Sequence, residues 1–133
     1  MSLSQSYDTI KLIYNRENSI MTFEKWIKVD TVLTAWDKTL ETRDFSHLNK
    51  YLSDDFQFEN TTGEVENLEN TKSWCIVGEL RINNFKTIRE TKNYFVATHD
   101  VSQKGKPKSN VLVYAEQKNG KFVYWKIQRS FDV

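Results

Sequence analysis

The hydrophobic pattern of residues 22–63 changes period twice, and each change marks a new element. Trp26, Val29, Leu33, Trp36 and Leu40 recur at alternating three- and four-residue spacing, which draws one apolar stripe along a helix. The spacing predicts a helix from Phe23 to Thr42, with Thr22 as N-cap and Glu24 at the positive end of the helix dipole. On this reading Trp26 packs into the core. Asp44 then caps a short helix whose Phe45, Leu48, Tyr51 and Leu52 face inward, leaving His47 exposed in its first turn. Ser53-Asp54-Asp55 breaks that period, and Phe56 to Asn60 alternates as a strand, with Phe56, Phe58 and Asn60 on one face. Trp36, Phe58 and Asn60 should therefore meet in one interior space. The simpler reading of Asn60 is a turn residue before Thr61-Thr62-Gly63. Residues 67–77 predict a third helix with Leu68, Cys75 and Ile76 inward, ended by Gly78.

The remainder reads as strand. Arg81 to Glu90 and Asn93 to Ser102 form one hairpin, turning at Thr91-Lys92, and Ser109 to Lys118 and Lys121 to Phe131 form another. Gly105-Lys106-Pro107-Lys108 is the loop between them, and Asn119-Gly120 signals a two-residue type I′ turn. With that turn, Glu116 faces Val123, Tyr114 faces Trp125, Leu112 faces Ile127 and Asn110 faces Arg129, all on one side. Val111, Val113, Ala115, Phe122 and Tyr124 take the other. A sheet apolar on both sides needs cover on both. Helices supply one cover, and a homodimer through the second group of residues supplies the other.

Composition narrows the classes. A chain of 133 residues is the size of one domain and buries roughly two-thirds of its unfolded surface. Lys plus Arg is 19 against 18 for Asp plus Glu, so no field draws it to nucleic acid or an acidic membrane. No run is apolar enough for a membrane span. A single Cys75 cannot form an internal disulfide and points to a cytoplasmic, reducing setting. With only His47 and His99 beside it, no structural zinc site, metal or cofactor is expected. Residues 1–21 form an arm ahead of a single domain over 22–133. Leu3, Tyr7, Ile10 and Tyr14 fall at helical spacing, and the alternatives are a disordered lead-in or a true start at Met21. The cluster Ile10, Leu12 and Ile13 is too short, and interrupted by Lys11, for a signal peptide.

The order helix, short helix, strand, third helix and long antiparallel sheet resembles the nuclear-transport-factor-2-like superfamily, and within it the SnoaL-like and ketosteroid-isomerase-like branch. The resemblance rests on Trp36 to Asn60, especially Asp44-Phe45 and Tyr51-Leu52-Ser53-Asp54-Asp55-Phe56, with Asn119-Gly120-Lys121 near the end. It covers about Thr22 to Asp132. It implies an α+β, cone-shaped cystatin-like roll, with three N-terminal helices on the concave face of a curved, mainly antiparallel sheet, and a homodimer through the outer face. Carried over by position, the isomerase base falls on Asn60, its helix tyrosine on Trp36 and its second acid on Leu112. An amide is no base near neutral pH and leucine donates nothing, so the isomerase mechanism is absent. A second branch, similar to scytalone dehydratase, implies histidines as acid and base.

His99 shares a strand with Phe95, Ala97 and Val101 and should sit opposite Asn84 on the same face. It is the candidate catalytic group, expected to be neutral at pH 7 because apolar walls disfavour its charge. A buried histidine satisfied by a carbonyl or water is the plainer reading. Arg129 continues the Trp125 and Ile127 stripe, either to clamp a carboxylate or phosphate or to pair with Glu116. Phe58, Trp74, Tyr114 and Trp125 supply walls, with Trp36 above. The expected function is small-molecule binding in an aromatic-lined pocket for a small apolar ligand, with a lyase, isomerase or cyclase step through His99. The alternatives are a non-catalytic binder and an association domain with a filled cone.

Overall fold

The computed structural model describes residues 11–15, 20–24 and 26–131, the first two stretches as backbone only. Lys11–Asn15 (β1) and Ile20–Glu24 (β2) pair as an antiparallel hairpin. Tyr14 thus lies in a strand, which overturns the helical option there, while Leu3, Tyr7 and Ile10 lie outside the described residues. The first helix, α1, runs Val29–Thr42 rather than from Phe23, because β2 occupies Ile20–Glu24. Thr22 is therefore a strand residue, and the N-cap position of α1 is Lys28. The helix start is held from elsewhere: Val29 N–H donates to Glu90 Oε2 at 2.6 Å, and no local side chain caps it. Trp26 precedes the helix, half-buried, with Lys28 Nζ 3.6 Å from its ring centroid, so it is not the core residue its spacing suggested. The rest of the stripe behaves as expected, with Val29, Val32, Leu33, Trp36 and Leu40 buried.

Ser46–Asn49 (α2) follows, with Asp44 Oδ1 accepting from Ser46 N–H at 3.0 Å, and His47 is half-exposed. Leu52–Glu59 forms β3, longer than expected because Ser53-Asp54-Asp55 continues the strand through a register irregularity against its neighbour. Val65–Glu66 (β4) is a two-residue strand, and Leu68–Cys75 (α3) starts on the Asn67 side chain, which accepts from Asn70 N–H at 2.9 Å. Leu80–Glu90 (β5), Tyr94–Gln103 (β6), Ser109–Lys118 (β7) and Lys121–Phe131 (β8) complete the sheet. The order is β4-β3-β8-β7-β6-β5, with β3 and β8 parallel and every other pair antiparallel. Asn119 and Gly120 both take positive φ, 54° and 75°, as a type I′ turn requires. The β5–β6 loop is Thr91–Asn93 rather than the two-residue turn expected.

Bulges bend this sheet, and one of them changes the reading of its faces. Gln117 pairs with Phe122 but Glu116 with Tyr124, so Val123 is an extra residue in β8. Beyond it Ala115 faces Trp125, Val113 faces Ile127 and Val111 faces Arg129. The inner face therefore carries Val111, Val113, Ala115 and Phe122, each at most 2% exposed, beneath the helices. Leu112, Tyr114 and Glu116 face outward with Tyr124 and Lys126. The expected dimer residues Val111, Val113, Ala115 and Phe122 are thus core, and of that set only Tyr124 lies on the outer face.

Candidate functional site

Rows of side chains running across the inner sheet face build the site. One row is Phe95, Ala115, Trp125, Phe58 and Glu66, from β6 through β7, β8 and β3 to β4. Two residues along comes Ala97, Val113 and Ile127, and then His99, Val111 and Arg129. Trp36 lies 4.6 Å from Trp125, 6.0 Å from Phe58 and 6.2 Å from Trp74, centroid to centroid. Above the later rows the helices leave a cavity of about 370 Å³, whose lining includes Trp36, Phe58, Asn60, Glu66, Trp74, His99, Trp125 and Arg129.

Each polar group in that lining has a definite state. His99 is buried, with Phe85 edge-on at 6.4 Å and Nδ1 3.2 Å from the Asp100 carbonyl oxygen. A carbonyl only accepts, so that contact places the neutral ring's proton on Nδ1 and leaves a lone pair on Nε2. Burial pushes the His99 pKa below its usual value, and the nearby Arg129 cation lowers it further, against raising contributions from Asp100. Arg129 is half-buried: Nε donates to Ser109 Oγ at 2.8 Å and Nη2 to Gln103 Oε1 at 3.0 Å, with Phe131 stacked 4.5 Å from Cζ. None of the ion pairs among the described residues involves Arg129. Glu116 cannot be its partner, since it lies on the outer face and accepts the Tyr114 hydroxyl proton.

Asn60 touches the cavity yet acts first as the turn residue: its Oδ1 accepts from Thr62 N, Thr62 Oγ1 and Glu64 N, and its Nδ2 donates to Glu64. Two expected site residues lie elsewhere. Tyr114 is on the outer face, flipped by the Val123 bulge, between Tyr94, tilted against it at 5.8 Å, and Tyr124, edge-on at 6.3 Å. Asn84 sits in a bulge of β5 with φ 56°, which turns its amide outward onto Asp100 Oδ2 at 2.6 Å and leaves Phe85 to face His99. Leu112, to which the second acid of the isomerase was carried over, is 43% exposed on the outer face. Its inward neighbours Val111 and Val113 supply no donor either. Glu66 was missed because nothing in sequence marks a two-residue strand; its Oε1 accepts Trp74 Nε1–H at 2.8 Å and fixes that wall. Among the described residues no cluster of His, Cys, Asp and Glu could hold a metal ion, and no helix is long and apolar enough to cross a membrane.

No family model matches this sequence, and no curated protein matches it. Solved structures do. An NTF2-like protein of unknown function from Cytophaga hutchinsonii superposes with a TM-score of 0.64 at 17% identity, over 80% of this chain and 93% of that one. A protein from Kribbella flavida provisionally named a ketosteroid isomerase gives 0.63 at 12% identity, over 77% and 78%. An epoxide hydrolase from M. tuberculosis, of the LEH-like kind, gives 0.53 at 18% identity, over 74% and 80%. At these identities the likeness is one of fold, and it agrees with the α+β cone of helices on a curved sheet: the chain has the nuclear-transport-factor-2-like fold.

Proposed function

We propose that the domain from residue 22 onward is a SnoaL-like small-molecule-binding domain, whose cavity takes a mainly apolar ligand beside His99. The observation that carries this reading is one cavity touching both His99 and Asn60, walled by Trp36, Phe58, Trp74 and Trp125. Aromatic walls with a few convergent polar groups suit small ligands, and a cavity of about 370 Å³ favours this over a cone packed shut. His99, neutral and carrying its lone pair on Nε2, is the group fitted to accept a proton from a bound carbon or oxygen acid in a lyase, isomerase or cyclase step. The isomerase and epoxide-hydrolase names among the structural neighbours are compatible with such chemistry. A cytoplasmic setting belongs to the same proposal, supported by the single Cys75, which can form no internal disulfide.

The test is NMR with a library of apolar fragments. Binders should shift the indole N–H signals of Trp36, Trp74 and Trp125 together with the His99 ring, and His99→Gln should abolish solvent-deuterium exchange into a bound ketone without abolishing binding. Fragments that shift only outer-face residues would sink the reading. The homodimer belongs to this proposal too, now through Leu112, Tyr94, Tyr114 and Tyr124. Leu112 exposed at the centre of a sheet face, within an aromatic ladder, supports it. Light scattering should then give a dimer for wild type and a monomer for Leu112→Glu. A monomeric wild type at tens of micromolar, the order expected for such interfaces, would refute it.

A further inference from the structure

The inner face places a cation that no carboxylate among the described residues pairs. Arg129 ends the row His99, Val111, Arg129, and its guanidinium is held by a hydroxyl and an amide oxygen, Ser109 Oγ and Gln103 Oε1. Ser109 is 1% exposed, so this anchor is a fixed part of the core rather than a passing surface contact. Two N–H groups are used in this way, and the rest of the guanidinium fork has no partner among the described residues. A carboxylate would make this a bidentate pair; the protein has left neutral acceptors on one edge of the fork instead.

The carboxylate lining the same cavity, Glu66, cannot reach it. Glu66 belongs to the Trp125 row and Arg129 lies four residues further along β8. At a strand rise of about 3.3 Å this separates the rows by about 13 Å along the strand, and β4 is two strands away across the sheet. Glu66 is also engaged with Trp74 Nε1. The cavity is therefore polarised, with a cation at one end, an engaged acid at the other, and Trp36, Trp125, Ile127 and Val111 between them.

We propose that Arg129 is an anion subsite, and that the ligand of this cavity is an apolar molecule carrying a single carboxylate. This deepens the pocket reading above and rests on it. A monoanion fits better than a phosphate, since Arg129 is the one Lys or Arg among the described lining residues and the wall around it is mainly apolar. With the carboxylate on Arg129, the ligand body lies along the tryptophans and passes His99, which stands two strands away in the same row. His99 Nε2 would then address an atom a few bonds from the carboxyl group, a place in the ligand set by the spacing of the row.

The test is calorimetric binding of octanoate, decanoate and cyclohexylacetate, each beside its primary amide, and of octyl phosphate. Wild type should bind each acid at least about tenfold more tightly than its amide, the usual scale for a charge-assisted pair against a neutral one. Added salt should erode that preference. Arg129→Gln should bring the ratio near one while leaving amide affinity within about twofold, and Arg129→Lys should restore part of it. Acids and amides bound equally by wild type would overturn the anion subsite and leave the pocket standing; this outcome does not depend on how any variant folds. Octyl phosphate bound more tightly than octanoate would overturn the carboxylate assignment. Binding of none of these probes would overturn the pocket reading and this inference together.

Discussion

Gln117 is the side chain that ties the entry of α1 to the sheet, and its replacement should be among the most damaging of polar changes. Ile27 N–H donates to Gln117 Oε1 and Gln117 Nε2 donates to the Ile27 carbonyl, both at 2.8 Å. Both residues are buried, at 6% and 8% exposure, so the amide acts as one rung of a ladder where no strand is available. Gln117→Leu keeps most of the volume and orphans two backbone groups. Each buried unsatisfied group costs about 1–3 kcal/mol; partial entry of water puts the pair at about 3 kcal/mol. For a domain of this size that is a fall of about 10–15 °C in Tm. Urea unfolding would give the free energy, and hydrogen exchange should show lost protection of the Ile27 amide. Gln117→Glu sharpens the test, because the introduced carboxyl can donate to the Ile27 carbonyl only when protonated. Its folded pKa should be raised, so its stabilising contribution is full below the unfolded carboxyl value and is lost as pH rises through the folded one. A Gln117→Leu protein melting within about 2 °C of wild type, well under the effect expected from two orphaned groups, would refute the reasoning.

Two further outcomes follow from single positions. Gly78 has φ +81°, a conformation that L side chains rarely adopt; Gly78→Ala should lose about 1–2 kcal/mol by urea unfolding, and an unchanged midpoint would argue against that left-handed conformation. His99 has a folded pKa lowered chiefly by burial, so the unfolded chain binds its proton first as pH falls. The related stability is full above the usual imidazole value and declines as pH drops toward the folded one; NMR titration of the ring should show the low value, and His99→Gln should remove that part of the pH slope.

Much of the fold was legible because strong local signals agreed. Asn119-Gly120 fixed β7 and β8 at Ser109–Lys118 and Lys121–Phe131, since few residues accept two positive φ angles in succession. The α1 stripe was readable from Val29 onward, because a helix that covers a sheet must keep its apolar residues on one side. Its start was not: Trp26 continued the helical spacing by coincidence, while the cap that decides the boundary comes from Glu90, 61 residues away. No window of local sequence contains that information.

The site was half legible, and the missing half has one physical cause. Side chains alternate along a strand, so one inserted residue reverses every face beyond it relative to the partner strand. Phe122 and Trp125 are both buried and their rings lie 5.4 Å apart; an odd spacing between two inward residues of one strand is possible only with a bulge between them. Reading β8 from Trp125 onward therefore placed Trp125, Ile127 and Arg129 correctly in the cavity. Reading β7 through an unbroken register sent Tyr114 and Leu112 inward and Val111, Val113 and Ala115 outward. The bulge in β5 did the same to Asn84. The two faces of β7 differ in composition: Val111, Val113 and Ala115 are an apolar run between Ser109 and Gln117, whereas Asn110, Leu112, Tyr114 and Glu116 mix polar and apolar side chains. The face with the apolar centre belongs under the helices, and the mixed face belongs to solvent or a partner. The composition of a whole face outweighs a register extended from one turn, and it sets His99, Val111 and Arg129 in the row where the chemistry of this protein is proposed to occur.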